Sequence, residues 1–520
     1  MTATLPTAFA GIAEKLDADQ PLSLAEGLRL CESPDIHTLG ELANRVRERL
    51  HGRDAFFNIN RHINYPNYCV LRCKFCSFYR PYPKSERPRA AGFIPRGDPE
   101  AMRDARANHI SHSARAAGFS PRDHSNGEQY PLPHGRGSEQ KTTQPLTDSR
   151  GGHVNPGVVR AETRSSAREQ DRRASDADQI EETPLPHGRG SDQSDHTENA
   201  TTGADGDNGY ELSIDEIVAR AREAYARGAT EVHIVGGLHP KLPFPYYTDM
   251  CRAIREACPQ MHIKAFTAIE IIHFTRIAKP RLSIAEVLTQ LREAGLGSLP
   301  GGGAEIFDDR VHDEAFKTKV GEAEWFEVHR AAHELGIFTN ATMLYGHIET
   351  PAERVGHLIK LREHQEESLR SRKAHFNCVI PLSFVPDGSD FADLSGPCGL
   401  DDLKTLAIAR LMCPNIPHIK AFWIMLTPKL AQVSLNWGVD DIDGTVVYYD
   451  ITKRDGGTHQ ELTVDKLKRL IVEAGCRPVE RDTLYRRVER DDSSWTIEGE
   501  PWRVPYGARG AQSESSLPVL

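Results

Sequence analysis

Three cysteines share one short loop, Cys69-Val-Leu-Arg-Cys73-Lys-Phe-Cys76, spaced by three and then two residues. Cysteine thiolates are the usual ligands of iron–sulfur clusters. Three of them can cap three corners of a [4Fe–4S] cubane and leave its fourth iron open. An open iron can chelate the amino and carboxylate groups of S-adenosylmethionine (SAM). One electron delivered there breaks the S–C5′ bond and releases a 5′-deoxyadenosyl radical. The rival chemistry is zinc, which in a structural site needs four protein ligands in a closed tetrahedron. No second paired half-site follows in the sequence, although His62 or a distant cysteine could complete one. A non-catalytic iron–sulfur or zinc-binding protein is therefore a competing class. The seven other cysteines, from Cys31 to Cys476, stand alone and read as small buried hydrophobes in a reducing compartment.

A cluster loop needs a rigid platform, and the rest of the chain supplies one. Apolar or β-branched runs occur at Phe56–Ile63, Glu231–Val235, Ile263–Ala268, Phe338–Tyr345, Phe376–Phe384, His418–Leu426 and Thr445–Tyr449, with a weaker one at Ala304–Phe307. Helices lie between them. Ser213 with Glu216, and Ser283 with Glu286, are spaced as capping boxes, and Gly228 and Gly295 stop the helices that follow. A further helix runs from Thr463 to Gly475. Alternating β and α units specify a parallel sheet, because parallel neighbours need crossover connections. About eight units predict an α/β fold of the (β/α)8 TIM-barrel class, with an open doubly wound sheet as the alternative. The cysteine loop follows the first strand, and such barrels carry their active sites at the C-terminal ends of the strands.

Composition divides the chain further. Residues 1–54 read as helices packed on the barrel, and 55–83 as its first strand and cluster loop. Residues 84–208 are rich in Ser, Arg, Asp, Gly and His and lack apolar periodicity, so a disordered low-complexity insert is expected there. It contains a duplicated nonapeptide, Pro131–Glu139 and Pro184–Asp192. The rest of the barrel occupies 209–490 and a C-terminal tail 491–520. A net charge of -10 argues against a nucleic-acid partner, which would need a concentrated basic face. Met1–Gln20 has no signal-type apolar core, and no window approaches the roughly 20 apolar residues of a membrane span. A soluble, cytoplasmic protein is expected.

Several segments together resemble one family. They are Asn58-Ile-Asn-Arg-His-Ile-Asn64, the cysteine loop, Ile234-Val-Gly-Gly-Leu-His-Pro240, Ile263-Lys-Ala-Phe-Thr-Ala268, Ser298-Leu-Pro-Gly-Gly-Gly-Ala-Glu-Ile306 and Asn340-Ala-Thr-Met-Leu-Tyr-Gly-His-Ile-Glu-Thr350. The resemblance is to the radical SAM aminofutalosine synthases of the futalosine route to menaquinone. It spans residues 36 to 490 apart from the insert. It implies that the adenosyl radical adds to the enol double bond of 3-[(1-carboxyvinyl)oxy]benzoate. Rearrangement onto the ring and loss of the carboxylate carbon, as bicarbonate or CO2, then give aminodeoxyfutalosine and methionine. SAM is thereby a co-substrate, and a low-potential donor such as flavodoxin or ferredoxin supplies the electron. The sister family, cyclic dehypoxanthinylfutalosine synthase, is the nearest alternative. It carries prolines before the glutamate where this chain has Ala268 and Ile269.

The resemblance also nominates residues. Phe75 takes the place of an aromatic that packs near adenine. Gly236 and Gly237 would admit SAM's methionine amino group, although a tight turn explains them as well. Gly302, within Pro300-Gly-Gly-Gly303, would admit a ligand to bare backbone, with Glu305 aimed at a ribose or ammonium; a sharp loop is the plain alternative. Glu270, Asn340 and Thr342 are further candidates for cofactor contacts. His347, Glu349, Arg61 and His62 are candidates for holding substrate carboxylates or moving a proton, or else for structural support. A buried carboxylate demands a cationic or donor partner, so at least one Arg, Lys or His must line the pocket. The insert departs from the family, in which the cluster loop runs directly into the Leu212–Arg227 helix. Each doubling of a loop adds only about 0.6 kcal/mol of closure cost, so folding should tolerate it.

Overall fold

A computed structural model describes residues 7–83, 209–446, 451, 460–491 and 494–501. The expected disordered insert and both nonapeptides lie outside the described residues.

The first extended run is split at Asn58 and Ile59 into β1 (Asp54–Phe57) and β2 (Asn60–Ile63). Parallel pairing then proceeds from β2 to β3 (Glu231–Ile234) and from β3 to β4 (His262–Ala265). Lys264 bridges to Ser298 and Leu299 to Thr339, so the 298–299 segment stands where a strand would lie between β4 and β5 (Thr339–Tyr345). From β5 the ladder continues through β6 (Phe376–Ser383) and β7 (His418–Ala421) to β8 (Asp441–Ile442), always parallel. Asp441 returns to Phe56, and the His62 N–H donates to the Val446 carbonyl at 3.2 Å. The ring therefore closes with eight positions. It is a (β/α)8 barrel and not an open sheet.

Three strand expectations need correction. Ala304–Phe307 is not a strand: Gly303 (φ 93°) and Glu305 (φ 46°) are left-handed, which breaks an extended run, and the eighth position falls to 298–299. The His418 run stays extended only to Ala421; Trp423–Leu426 turns into a short helix. The last barrel strand is Asp441–Ile442, ahead of the expected Thr445–Tyr449, of which residues 447–449 lie outside the described residues.

The outer layer follows its local signals. The capping boxes at Ser213/Glu216 and Ser283/Glu286 form, starting α4 (Ile214–Ala226) and α7 (Ile284–Glu293), with α5 (Phe244–Ala257) and α6 (Ala268–Ile277) between them. Thr267/Glu270 does the same for α6. Helices α8 (Asp309–Ala315) and α9 (Glu322–Glu334) precede β5, and α10 (Pro351–Ser371) and α11 (Gly399–Met412) flank β6. At the N-terminus, α1 (Thr7–Asp17) is followed by α2 (Leu24–Glu32), which packs on α10, and α3 (Ile36–His51), which packs on α11. Of the isolated cysteines, Cys398 is exposed rather than buried, because it caps α11 from the preceding loop, and Cys31 is half-buried.

Arg477–Glu480 pairs with β1 outside the ring. The segment after it crosses the N-terminal end of the barrel. Arg481 pairs with Asp441 at 2.7 Å, Thr483 donates to Glu231 at 2.7 Å, and the Tyr485 ring stacks on His418 at 3.6 Å. This closes the floor. A hairpin of Arg487–Arg490 with Trp495–Glu498 follows, reaching past residue 491 where the tail was expected to start. Among the described residues no helix is long and apolar enough to cross a membrane.

Candidate active site

The loop after β2 is pinned on three sides. Its Val70 N–H donates to the Leu238 carbonyl (3.0 Å), Cys69 N–H to Arg80 (3.1 Å) and Lys74 N–H to Ala315 (3.0 Å). Cys69, Cys73 and Cys76 open on one cavity of about 280 Å³ at the C-terminal ends of the barrel strands. The cavity is also lined by Phe75, His62, Gly236, Gly237, Glu270, Gly302, Glu305, Asn340 and Thr342. Residues from five separate barrel units thus converge.

Arg61, His347 and Glu349 do not join them. Adjacent strand residues face opposite sides, so with His62 inside, Arg61 points to the helix layer, where its guanidinium lies 3.5 Å from Glu223 of α4. Glu349 turns back to accept the Gly346 and His347 N–H groups (2.6 and 3.0 Å) and pairs with Arg354 at 2.8 Å. His347 Nε2–H donates to the Leu344 carbonyl. These two build the turn into α10 and leave the cavity to Asn340 and Thr342.

The glycine turn, besides lining the cavity, has a packing reason. A Cβ on Gly237 would stand 2.4 Å from the Tyr68 carbonyl oxygen, and one on Gly236 2.2 Å from Pro66. The missing side chains let the cluster loop pack against this turn. The Gly236 N–H meanwhile donates to Glu270 (3.3 Å), whose carboxylate also accepts from Tyr65 OH (2.8 Å) and from Thr267 N–H (2.7 Å). Burial pushes the Glu270 carboxyl up to about 7, and these donors hold it from rising further.

Lys319 escaped the sequence reading. Its ammonium pairs with Glu305 and lies 4.7 Å over the Phe75 ring, tying the glycine-rich wall to the cluster loop. It comes from a loop with no motif of its own, so nothing local announces it. His233, Lys264, Lys420 and Asp443 were missed too, and here a signal existed. The pentapeptide His-Ile-Lys-Ala-Phe occurs twice, at 262–266 and 418–422. A lysine in the middle of an otherwise apolar barrel strand must find a buried partner. Lys264 finds Glu231 at 2.5 Å and Lys420 finds Asp443 at 3.1 Å. Burial drives His62 down to about 4 and His233 well below its ordinary value, so both imidazoles are neutral at physiological pH.

The thiols suit a cluster better than a single ion. All three are free of disulfides. Cys69 Sγ accepts N–H groups from Leu71 and Leu238 (3.4 and 3.3 Å), and burial pushes the Cys73 thiol up to about 12. A buried thiolate there needs a cationic partner. One zinc ion with Zn–S bonds of about 2.3 Å holds its sulfurs within about 4.6 Å of each other, yet the three Sγ atoms do not gather within 4.8 Å. Among the described residues the group that does is His51, His418 and Asp440, and the Arg410 guanidinium already occupies its carboxylate.

Residues 192–361 match the family model of the radical SAM superfamily, and 376–493 that of the CofH/MqnC C-terminal region. The first match begins beyond the cysteine loop, near the end of the insert. The chain is 37% identical to aminodeoxyfutalosine synthase of Thermus thermophilus, covering 92% of this chain and 95% of that one. The chain belongs to the aminodeoxyfutalosine synthase family. A second aminodeoxyfutalosine synthase, from Streptomyces coelicolor, is 32% identical and covers 94% of this chain and 97% of its own. The sister activity is not better supported by these relatives, and the superfamily match sets aside a non-catalytic metal protein. As a radical SAM enzyme, an aminodeoxyfutalosine synthase relative uses a [4Fe–4S] cluster and SAM. The fold agrees: methylornithine synthase superposes with a TM-score of 0.52 at 13% identity, covering 90% of this chain and 97% of that one.

Proposed function

We propose that this chain joins the 5′-deoxyadenosyl group of SAM to 3-[(1-carboxyvinyl)oxy]benzoate, giving aminodeoxyfutalosine, methionine and bicarbonate, in cytoplasmic menaquinone synthesis. The observation that carries the proposal is the convergence of the three cysteines with the glycine-rich wall and several buried cations in one cavity, in a chain related over nearly its full length to aminodeoxyfutalosine synthases. Cys69, Cys73 and Cys76 would hold the cluster, which when bound supplies the electron that cleaves SAM.

The protein's own residues then have separable tasks. Phe75, fixed by the Lys319 ammonium, presents a flat apolar face where an adenine can stack. Gly302 leaves bare backbone opposite Thr267, and Asn340 and Thr342 offer polar groups on the wall of β5. Thr342 already donates to the Gly301 carbonyl at 2.8 Å, which keeps the glycine-rich segment against β5. Glu270 anchors the Gly236 turn that carries the cluster loop. Leu344, Ile380, Leu382 and Phe422 add apolar surface to the cavity, which excludes water from a reactive carbon centre. Holding the C5′ and vinyl carbons about 3–3.5 Å apart can supply about 7–11 kcal/mol of barrier reduction. On the outside of the loop Val70, Arg72 and Lys74 are exposed, leaving an approach for a low-potential donor such as flavodoxin or ferredoxin.

Anaerobic incubation of the reconstituted protein with SAM, a reductant and the enolpyruvyl benzoate tests this. An adenosylated product is expected. Turnover of SAM without consumption of the benzoate would sink the proposal.

A further inference from the structure

Parallel register aligns three polar side chains across one wall of the barrel. His62 stands opposite His233, and His233 opposite Lys264, on β2, β3 and β4. All three face the cavity, one residue short of the strand ends, beneath the cluster loop. Lys420 of β7 and Asp443 after β8 complete the layer, with Asp443 3.9 Å from His62 and Lys420 held between Asp443 (3.1 Å) and Asp441 (3.6 Å). Each lysine is 2% exposed.

Long cationic side chains are placed in a barrel interior at a desolvation cost, and a purely structural role would leave their donors saturated. An ammonium carries three N–H donors. Lys264 has Glu231 as its one acceptor among the described residues, and Glu231 is further satisfied by Thr483. Donors of Lys264 therefore remain for something that enters the cavity. Beside this polar layer Phe422, Met425 and Ile380 form an apolar side. A floor of ion-paired lysines, with an ammonium donor open to the cavity, next to an apolar wall fits an aromatic ring bearing a carboxylate.

We propose that Lys264 and Lys420, the two lysines of the repeated His-Ile-Lys-Ala-Phe segments, seat the ring carboxylate of the substrate and so select an aromatic dicarboxylate. The inference rests on the function proposed above and deepens it. The vinyl carbon must face the cluster end, where the adenosyl group is released. The enol carboxylate is bonded beside that carbon and stays at the same level. The ring carboxylate, at the far end of the molecule, then points to the floor, where the lysines wait.

Equilibrium binding to the reconstituted holoenzyme tests this without turnover. Two ligands are compared: 3-[(1-carboxyvinyl)oxy]benzoate and 2-phenoxyacrylate, which lacks the ring carboxylate. Wild type should bind the dicarboxylate more tightly. Lys264→Met and Lys420→Met should each weaken the dicarboxylate at least about tenfold, the range of a lost charged hydrogen bond, and leave phenoxyacrylate within about twofold. Should Lys264→Met fail to fold because Glu231 is left unpaired, the double variant Lys264→Met/Glu231→Gln removes both charges and must show the same selective loss. Equal weakening of both ligands, or of neither, overturns the inference while leaving the reaction intact. A wild type that binds neither ligand overturns the proposed substrate and this seat together.

Discussion

A thiol that burial pushes up to about 12, as at Cys73, is protonated at neutral pH unless a cation takes its proton's place. Cys73→Ala should therefore lose the cluster, because one missing ligand exposes a second iron, and with it all SAM cleavage. Cys251 and Cys413 are equally buried but lie away from the cavity. Alanine there should leave iron at about four per chain in metal analysis after anaerobic reconstitution. Glu270 makes a different prediction. Its folded pKa, about 7, lies above its unfolded value, so its contribution to stability is fully present in acid and is lost as pH rises through 7. Glu270→Gln should flatten that loss: between about pH 5 and pH 8 its melting temperature should fall less than that of wild type. A parallel fall in both would show the carboxylate to be ionised throughout. Much at this scale was legible. The cysteine trio is a local spacing, and spacing survives without coordinates. Arg61 and His62 could not both face the cavity, as neighbours on one strand, and only the structure shows which does. Lys319 reaches Phe75 and Glu305 from elsewhere in the chain, and no local pattern records such a contact.

Elements were read from their caps and runs, and they failed where backbone torsion overrides composition. The run at 304–307 looks extended but follows a left-handed glycine, while the real barrel position at 298–299 is only two residues long. The glycines themselves make opposite predictions. Gly237→Ala forces a methyl to within 2.4 Å of backbone oxygen and must push the cluster loop away. A loss of about 1–3 kcal/mol in stability and weakened iron retention should follow. Gly356, inside α10, has nothing within 4 Å of its missing Cβ. Gly356→Ala should raise stability by about 0.5–1 kcal/mol in thermal or denaturant unfolding, with iron content unchanged. If Gly237→Ala retains full iron and stability, the close packing of loop and turn is not what the glycine is for.

For the whole molecule, barrel closure was legible because eight β–α units need a parallel ring, but the plug at 481–485 was not, since no periodicity marks a segment that crosses a barrel floor. The barrel residues that flank the insert are fixed. Arg80 N–H donates to the Asn67 carbonyl at 2.8 Å, Tyr210 N–H to the Asn67 side chain at 2.7 Å, and Tyr68 OH to Gly209 at 3.0 Å. Both stems are thus anchored on Asn67 and Tyr68, immediately before Cys69. Joining residues 85 and 207 with a short Gly/Ser linker should leave a soluble protein with wild-type iron content and turnover. Loss of soluble protein would mean that the insert contributes to the core. The central claim is adenosyl transfer within the closed barrel, and carbon-labelled SAM with the enolpyruvyl benzoate, followed by mass spectrometry, tests it most directly. The adenosyl label should appear in the product, with methionine released in equal amount. If the benzoate is consumed while all of the label is recovered as free 5′-deoxyadenosine, the enzyme abstracts hydrogen instead and the account is contradicted.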